Sequence, residues 1–253
     1  MTATIEACLS PADYQAQAAG GFRDAVCVVF DILRATSVMV AGLANGAAGF
    51  VPAAEIAEAL AFHPRHRNAL LAGERNGVRI TAMASGGVDF DLGNSPREYT
   101  RDRVRGRMII TTTTNGTRAL RACATAKRVA VASFLNLSAT ADWLAQHQTE
   151  RIILVCAGTA EHPALEDILA AGALCELLVS RSARAELRDS AETAVRVYRE
   201  ARTDLFGVIS RSQNGRRLMA NAELRDDVAF CLQRDVSDLV ALLGMDGVVR
   251  TSA

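Results

Sequence analysis

Three short runs of apolar residues constrain this chain more than any other feature. They are residues 25–30 (Ala, Val, Cys, Val, Val, Phe), 108–112 (Met, Ile, Ile, Thr, Thr) and 152–156 (Ile, Ile, Leu, Val, Cys). None alternates apolar with polar. A strand that is apolar on both faces must be covered on both faces, which is the pattern of a parallel sheet buried between helices. Weaker runs at 69–72 and 129–133 read the same way. Segments with helical spacing lie between the runs, near 37–43, 53–61, 117–124, 138–146 and 165–179. Strand then helix, repeated, predicts a three-layer α/β/α fold with a largely parallel or mixed sheet. After residue 180 Arg, Glu, Asp and Ala dominate, and Ala194, Val197, Tyr198, Leu205, Val208 and Ile209 keep helical spacing. The part from about 181 is therefore expected to be mostly helical. Nothing resembles a linker, a repeat or a low-complexity tract, so one domain over residues 1–253 is expected.

Composition narrows the function. The chain has 28 basic and 28 acidic residues and only 5% aromatics. It offers neither a basic footprint for nucleic acid nor a stacking platform, so no nucleic-acid partner is expected. No stretch approaches the ~20 apolar residues of a membrane helix. Residues 1–6 have neither the basic nor the apolar region of a signal peptide, so a cytoplasmic protein with no membrane partner is expected. The six cysteines form no CxxC pair, and Cys27 and Cys156 fall inside apolar runs, which predicts buried, reduced thiols. His63, His66, His147 and His162 show no metal-ligand spacing. Every basic residue but Lys127 is arginine, whose planar fork suits phosphate, carboxylate and sulfonate.

Ligands of open α/β sheets bind beyond the carboxyl ends of the strands, so the residues after each run are the candidates. Asp31 and Arg34 follow the first run. Asp31 could simply cap a helix, with Arg34 a solvated charge. Glu74 follows the run at 69–72. The segment 76–99 is rich in glycine and turn residues, and is long for an idle loop. Within it Asp89, Asp91 and Asn94 are hard oxygen donors suited to Mg2+. Ser95 and Pro96 could merely start a helix. Thr113, Thr114, Asn115, Gly116, Thr117 and Arg118 follow the run at 108–112. Asn115-Gly116 permits a tight turn, and a helix start there could present N–H groups and hydroxyls to an anion. It could equally be an ordinary strand-to-helix turn. Asn136 follows the run at 129–133, and Glu166 and Asp167 come soon after residue 156. These last two could be first-turn acids complementing a helix dipole, or a metal ligand and a base. Gly215, Leu218, Asp226 and Asp227 read as structural.

Several chemistries are absent or disfavoured. There is no P-loop, GxSxG, HExxH or nucleotide-type GxGxxG. The DxDx[TV] signature of haloacid-dehalogenase phosphatases needs a second carboxylate where Leu33 stands.

Taken in order, these segments resemble the 2-phosphosulfolactate phosphatase (ComB-like) family. The resemblance rests on residues 29–37, 45–47, 73–74, 90–96, 112–117, 133–136, 156–158 and 165–167, spread over about 25–235. It implies an α/β fold and Mg2+-dependent hydrolysis of 2-phospho-3-sulfolactate to 3-sulfolactate and phosphate, a step of coenzyme M biosynthesis. On that basis Asp31, Arg34, Glu74, Asp91, Asn94, Asn136 and Glu166 are expected to be catalytic. Residues 113–118 are expected to bind substrate, and Asp31, Asp91 and Asp167 to bind the metal. Arg34 and Arg118 would hold the phosphate, carboxylate or sulfonate. A small phosphorylated sulfo- or hydroxy acid as ligand and a homodimeric assembly complete the expectation. The alternatives are a phosphatase of another small phosphorylated 2-hydroxy acid, or a noncatalytic anion-binding regulator. The recurrent acids at strand ends favour an enzyme, since they would repel phosphate without a cation.

Overall fold

The computed structural model describes residues 3–147, 149–181 and 185–252. Met1 and Thr2, part of the segment read for a signal peptide, lie outside them. The strands are β1 Ala3–Cys8, β2 Val26–Phe30, β3 Gly49–Pro52, β4 Leu70–Arg75, β5 Val78–Arg79, β6 Met108–Thr112, β7 Arg128–Val131, β8 Arg151–Cys156, β9 Ala185–Leu187, β10 Ala241–Leu243 and β11 Val249–Thr251. The helices are α1 Pro11–Gly20, α2 Ala35–Ala44, α3 Ile56–Phe62, α4 Ala82–Ser85, α5 Arg101–Val104, α6 Gly116–Ala122, α7 Leu137–Gln146, α8 Leu165–Arg181, α9 Asp189–Ala201, α10 Leu205–Ser210, α11 Gln213–Met219 and α12 Arg225–Cys231.

β2 shows why the fold has three layers. All five of its residues are buried, and successive side chains point to opposite faces. Val26, Val28 and Phe30 join the core formed with α7, α8 and α9. Cys27 and Val29 join the opposite core, with Tyr14 of α1, Val38 and Met39 of α2 and Leu120 of α6. A third cluster packs α3 onto β3, β4 and β6 through Ala59, Val51, Leu71 and Ile110.

Among the described residues the strands form one sheet in the order β5-β4-β6-β3-β11-β10-β7-β2-β8-β1-β9. Two parallel sets, β4-β6-β3 and β7-β2-β8-β1-β9, are joined by the antiparallel hairpin β10-β11. The sheet is thus mixed, as the sequence predicts. The tail is mostly helical, with α9 to α12, and also carries β9, β10 and β11. Each of those strands is three residues long, too short for a period to show. No described helix is long and apolar enough to cross a membrane. All six cysteines are free and buried, and burial pushes the thiols of Cys8, Cys175 and Cys231 up to about 12.

Candidate active site

β2 ends at Phe30, and the chain turns at once into α2. Thr36 fixes that turn: its hydroxyl accepts from the Asp31 N–H and donates to the Asp31 carbonyl, each at 3.0 Å. Asp31 Oδ1 accepts the Ala35 N–H at 3.1 Å, so the carboxylate does cap the turn. It also faces a cavity. The start of α6 presses against its other oxygen: a Cβ on Gly116 would fall 2.8 Å from Asp31 Oδ2 and 2.7 Å from the Ala35 Cβ. Only glycine permits that approach, and the Gly116 N–H bonds the carboxylate. Burial raises the Asp31 pKa from 3.8 to about 6, with Glu74 and Glu166 adding to the rise and the Ala35 and Gly116 N–H groups opposing it.

Glu74 closes β4. The next turn explains the Asn-Gly that follows: Glu74 pairs with Arg79 and Arg75 with Val78, leaving Asn76 and Gly77 as a two-residue loop. Both have positive φ, 56° and 81°, as a type I′ hairpin demands. That turn aims the Gly77 N–H at Glu74 Oε2, 2.7 Å away. Glu74 Oε1 accepts from the Thr114 N–H at 3.0 Å and the Thr114 hydroxyl at 2.9 Å. The turn after β6 therefore uses its donors on the protein's own acids. Thr114 N–H serves Glu74, Gly116 N–H serves Asp31, and Thr117 N–H reaches Thr113 Oγ1 at 3.3 Å. The Asn115 carboxamide oxygen accepts from the Ala160 N–H at 3.1 Å.

Asp31, Arg34, Glu74, Asn94, Thr113, Thr114 and Asn115 line one cavity of about 180 Å3, together with Leu33, Asn76, Gly77, Thr159, Ala160 and Arg217. Arg34, Gly77 and Asn94 also line a neighbouring cavity of about 350 Å3. Asn94 is 7% exposed, and its carboxamide has no hydrogen-bond partner among the described residues. Arg34 is 3% exposed and fully engaged on one side: it donates to Asp227 Oδ2 and to the Gly77 carbonyl, each at 2.7 Å. Asp227 is wholly buried and also accepts from the Ser95 hydroxyl at 2.6 Å. Ser95 thus precedes the short turn at Pro96 without capping it by its side chain.

Other sequence candidates lie elsewhere. Asp167 sits below Asp31, with Oδ1 on the Ile32 N–H at 2.8 Å and Oδ2 on the Gly158 N–H at 3.0 Å. Burial, then Asp31 and Glu166, hold its carboxyl well above the usual range. Glu166 is buried and accepts from Ser212 Oγ at 3.0 Å and Asn214 Nδ2 at 2.6 Å. Asp91 is exposed, and its carboxylate accepts the Leu71 N–H at 2.8 Å outside the cavity. Asn136 is buried at the start of α7, where it accepts from the Ser133 N–H and donates to the Val131 and Leu239 carbonyls. Arg118 is exposed and pairs with Glu161 at 3.3 Å. The structure therefore separates Asp91, Asn136 and Arg118 from the cavity that holds Asp31 and Glu74.

Ser212, Asn214 and Arg217, all from the tail, carry no sequence signal of their place at the site, while Asp227, expected to be structural, is the buried partner of Arg34. The only signal there was a run of polar residues on short helices, and it does not say which of them face inward.

No group of three or more His, Cys, Asp or Glu among the described residues is disposed to hold a metal ion. Asp31 and Glu74 supply two carboxylates to one cavity, with the free Asn94 amide beside them. That set suits Mg2+, which binds one or two carboxylates and keeps water and substrate oxygens in its other positions. It suits zinc or copper poorly, since no imidazole or thiolate lines the cavity.

The class of protein is an α/β fold with paired acids in a cavity at its strand ends, and sequence comparison identifies the family. Residues 10–245 match the profile of the 2-phosphosulpholactate phosphatase family, and the chain belongs to that family. Relatives named "Probable 2-phosphosulfolactate phosphatase" include one from Thermotoga petrophila, 40% identical over 85% of this chain and 88% of its own. One from Caldanaerobacter subterraneus subsp. tengcongensis is 39% identical over 89% and 90%, and one from Caldicellulosiruptor saccharolyticus 35% over 86% and 88%.

Proposed function

We propose that this protein hydrolyses 2-phospho-3-sulfolactate to 3-sulfolactate and phosphate, with Mg2+ held by Asp31 and Glu74. One observation carries the reading: both carboxylates wall the same small cavity, each fixed by backbone N–H groups. Mg2+ bound there would neutralise phosphoryl oxygens as negative charge develops. The chain's own residues supply the rest. Glu74 is locked by three donors and keeps its orientation through a turnover. Asp31, its carboxylate oriented by the Ala35 and Gly116 N–H groups, would be the second carboxylate to hold the cation. The unpartnered Asn94 amide can donate to a phosphoryl oxygen.

The test is phosphate release over a panel of phosphorylated 2-hydroxy acids, with Mg2+ and with EDTA. Release from phosphosulfolactate that exceeds release from phospholactate and stops in EDTA is expected. Undiminished release in metal-free buffer would remove Mg2+ from the reading, and preference for phospholactate would change the substrate.

A further inference from the structure

Two arginines line the cavity that holds Asp31 and Glu74, and their states differ. Arg34 is buried and neutralised by Asp227, and its remaining fork nitrogen serves the Gly77 carbonyl. Arg217 is exposed at the rim and has no ion pair or hydrogen bond among the described residues. A cation left unpaired beside two carboxylates is spare positive charge at the mouth of the site.

The fold holds this residue in place. Arg217 lies on α11, one turn beyond Asn214, so the two share a helix face. Asn214 Nδ2 donates to Glu166 Oε1 and to Thr159 Oγ1, both at 2.6 Å, and Ser212 Oγ donates to Glu166 Oε2 at 3.0 Å. α11 is thereby bolted to the start of α8, and Thr159 is itself on the cavity wall. The Arg217 guanidinium lies over the Asn76-Gly77 turn: a Cβ on Gly77 would fall 3.9 Å from its Nε and 4.0 Å from its Cζ. Gly77 is required for its positive φ, and the guanidinium rests on it at van der Waals distance.

We infer that Arg217 binds the non-reacting anionic end of the substrate, its sulfonate or carboxylate, and so sets selectivity for a polyanionic phosphate ester. This rests on the proposed function. Arg118, paired with Glu161 away from the cavity, and Arg34, already paired, leave that work to Arg217. The planar guanidinium fork matches two oxygens of either group.

The first test is binding of 3-sulfolactate, which lacks phosphate, by calorimetry. Arg217→Ala is expected to weaken it about tenfold relative to wild type, and Arg217→Lys by less. Arg216→Ala serves as a charge control, since Arg216 bonds back to the Arg211 carbonyl outside the cavity. Lactate and 2-hydroxyethanesulfonate, each with one of the two groups, show which oxyanion the fork takes. Equal binding by wild type and Arg217→Ala, equal weakening by Arg216→Ala, or no binding by wild type would overturn the inference. The second test is kinetic. Arg217→Ala should raise KM for phosphosulfolactate about tenfold and leave KM for glycerol 2-phosphate, whose tail is uncharged, unchanged. An equal rise on both would assign Arg217 to the phosphate and overturn the inference. Wild type that binds sulfolactate through Arg217 but releases no phosphate would defeat the proposed function alone.

Discussion

At the scale of single residues, two buried charges decide most of what can be measured. Asp31 has a folded-state pKa of about 6 against 3.8 unfolded. A carboxyl whose pKa is raised by folding binds its proton more tightly in the native state. Stability is therefore lost as pH rises from about 4 through 6, up to about 3 kcal/mol from this group in metal-free protein. Asp31→Asn removes that loss. Its melting temperature should match wild type near pH 4 and exceed it near pH 7.5 in EDTA. A difference that is the same at both pH values would contradict the burial of a charge at this position. Asp227 is the second case. It holds Arg34 at 2.7 Å and Ser95 at 2.6 Å with no exposure. Asp227→Ala strands the Arg34 guanidinium and should cost about 3–5 kcal/mol in denaturant unfolding. A loss under 1 kcal/mol would mean that solvent reaches Arg34.

At the scale of elements, the site is a meeting of two turns: Asp31 at the β2-α2 turn and Gly116 at the start of α6. Gly116→Ala places a methyl 2.8 Å from Asp31 Oδ2 and 2.7 Å from the Ala35 Cβ, and a Cβ cannot give way without its backbone. Overpacking of this kind costs about 1–3 kcal/mol, and it should lower kcat by displacing Asp31. A Gly116→Ala enzyme with wild-type stability and kcat would show that the two turns are not in register with the chemistry. These turns were legible in the sequence because β2, β6 and β8 are buried on both faces and announce their ends. β1 and α1 were not read, although Ser10, Pro11 and Asp13 spell a capping box, and the Ser10 hydroxyl and Asp13 carboxylate do cap each other's N–H groups. β10 and β11 were illegible for a different reason: their partners β7 and β3 are over a hundred residues away in sequence, and three residues carry no period. The same limit hid Ser212, Asn214 and Arg217. A polar residue on a short helix reads as solvated until the fold turns it inward. Asp91 shows the converse. It stands in a conspicuous turn, but its carboxylate is spent on the Leu71 N–H.

At the scale of the whole molecule, the β10-β11 hairpin joins two parallel sets of strands. One set carries Asp31 at its ends, and the other carries Glu74 and the Thr113–Thr114 turn. The cavity exists because these ends converge, and the family match over residues 10–245 takes in both sets except β1, with the first strand of the hairpin. The central claim is that this convergence makes a phosphatase whose turnover depends on Asp31. The most direct measurement is kcat for 2-phospho-3-sulfolactate with Mg2+ for wild type and for Asp31→Asn, with folding of the variant checked by its thermal transition. Steady phosphate release by wild type and a fall of about 100-fold or more in the folded variant is the predicted result. No release by wild type, or near-normal turnover by the folded Asp31→Asn protein, would contradict it.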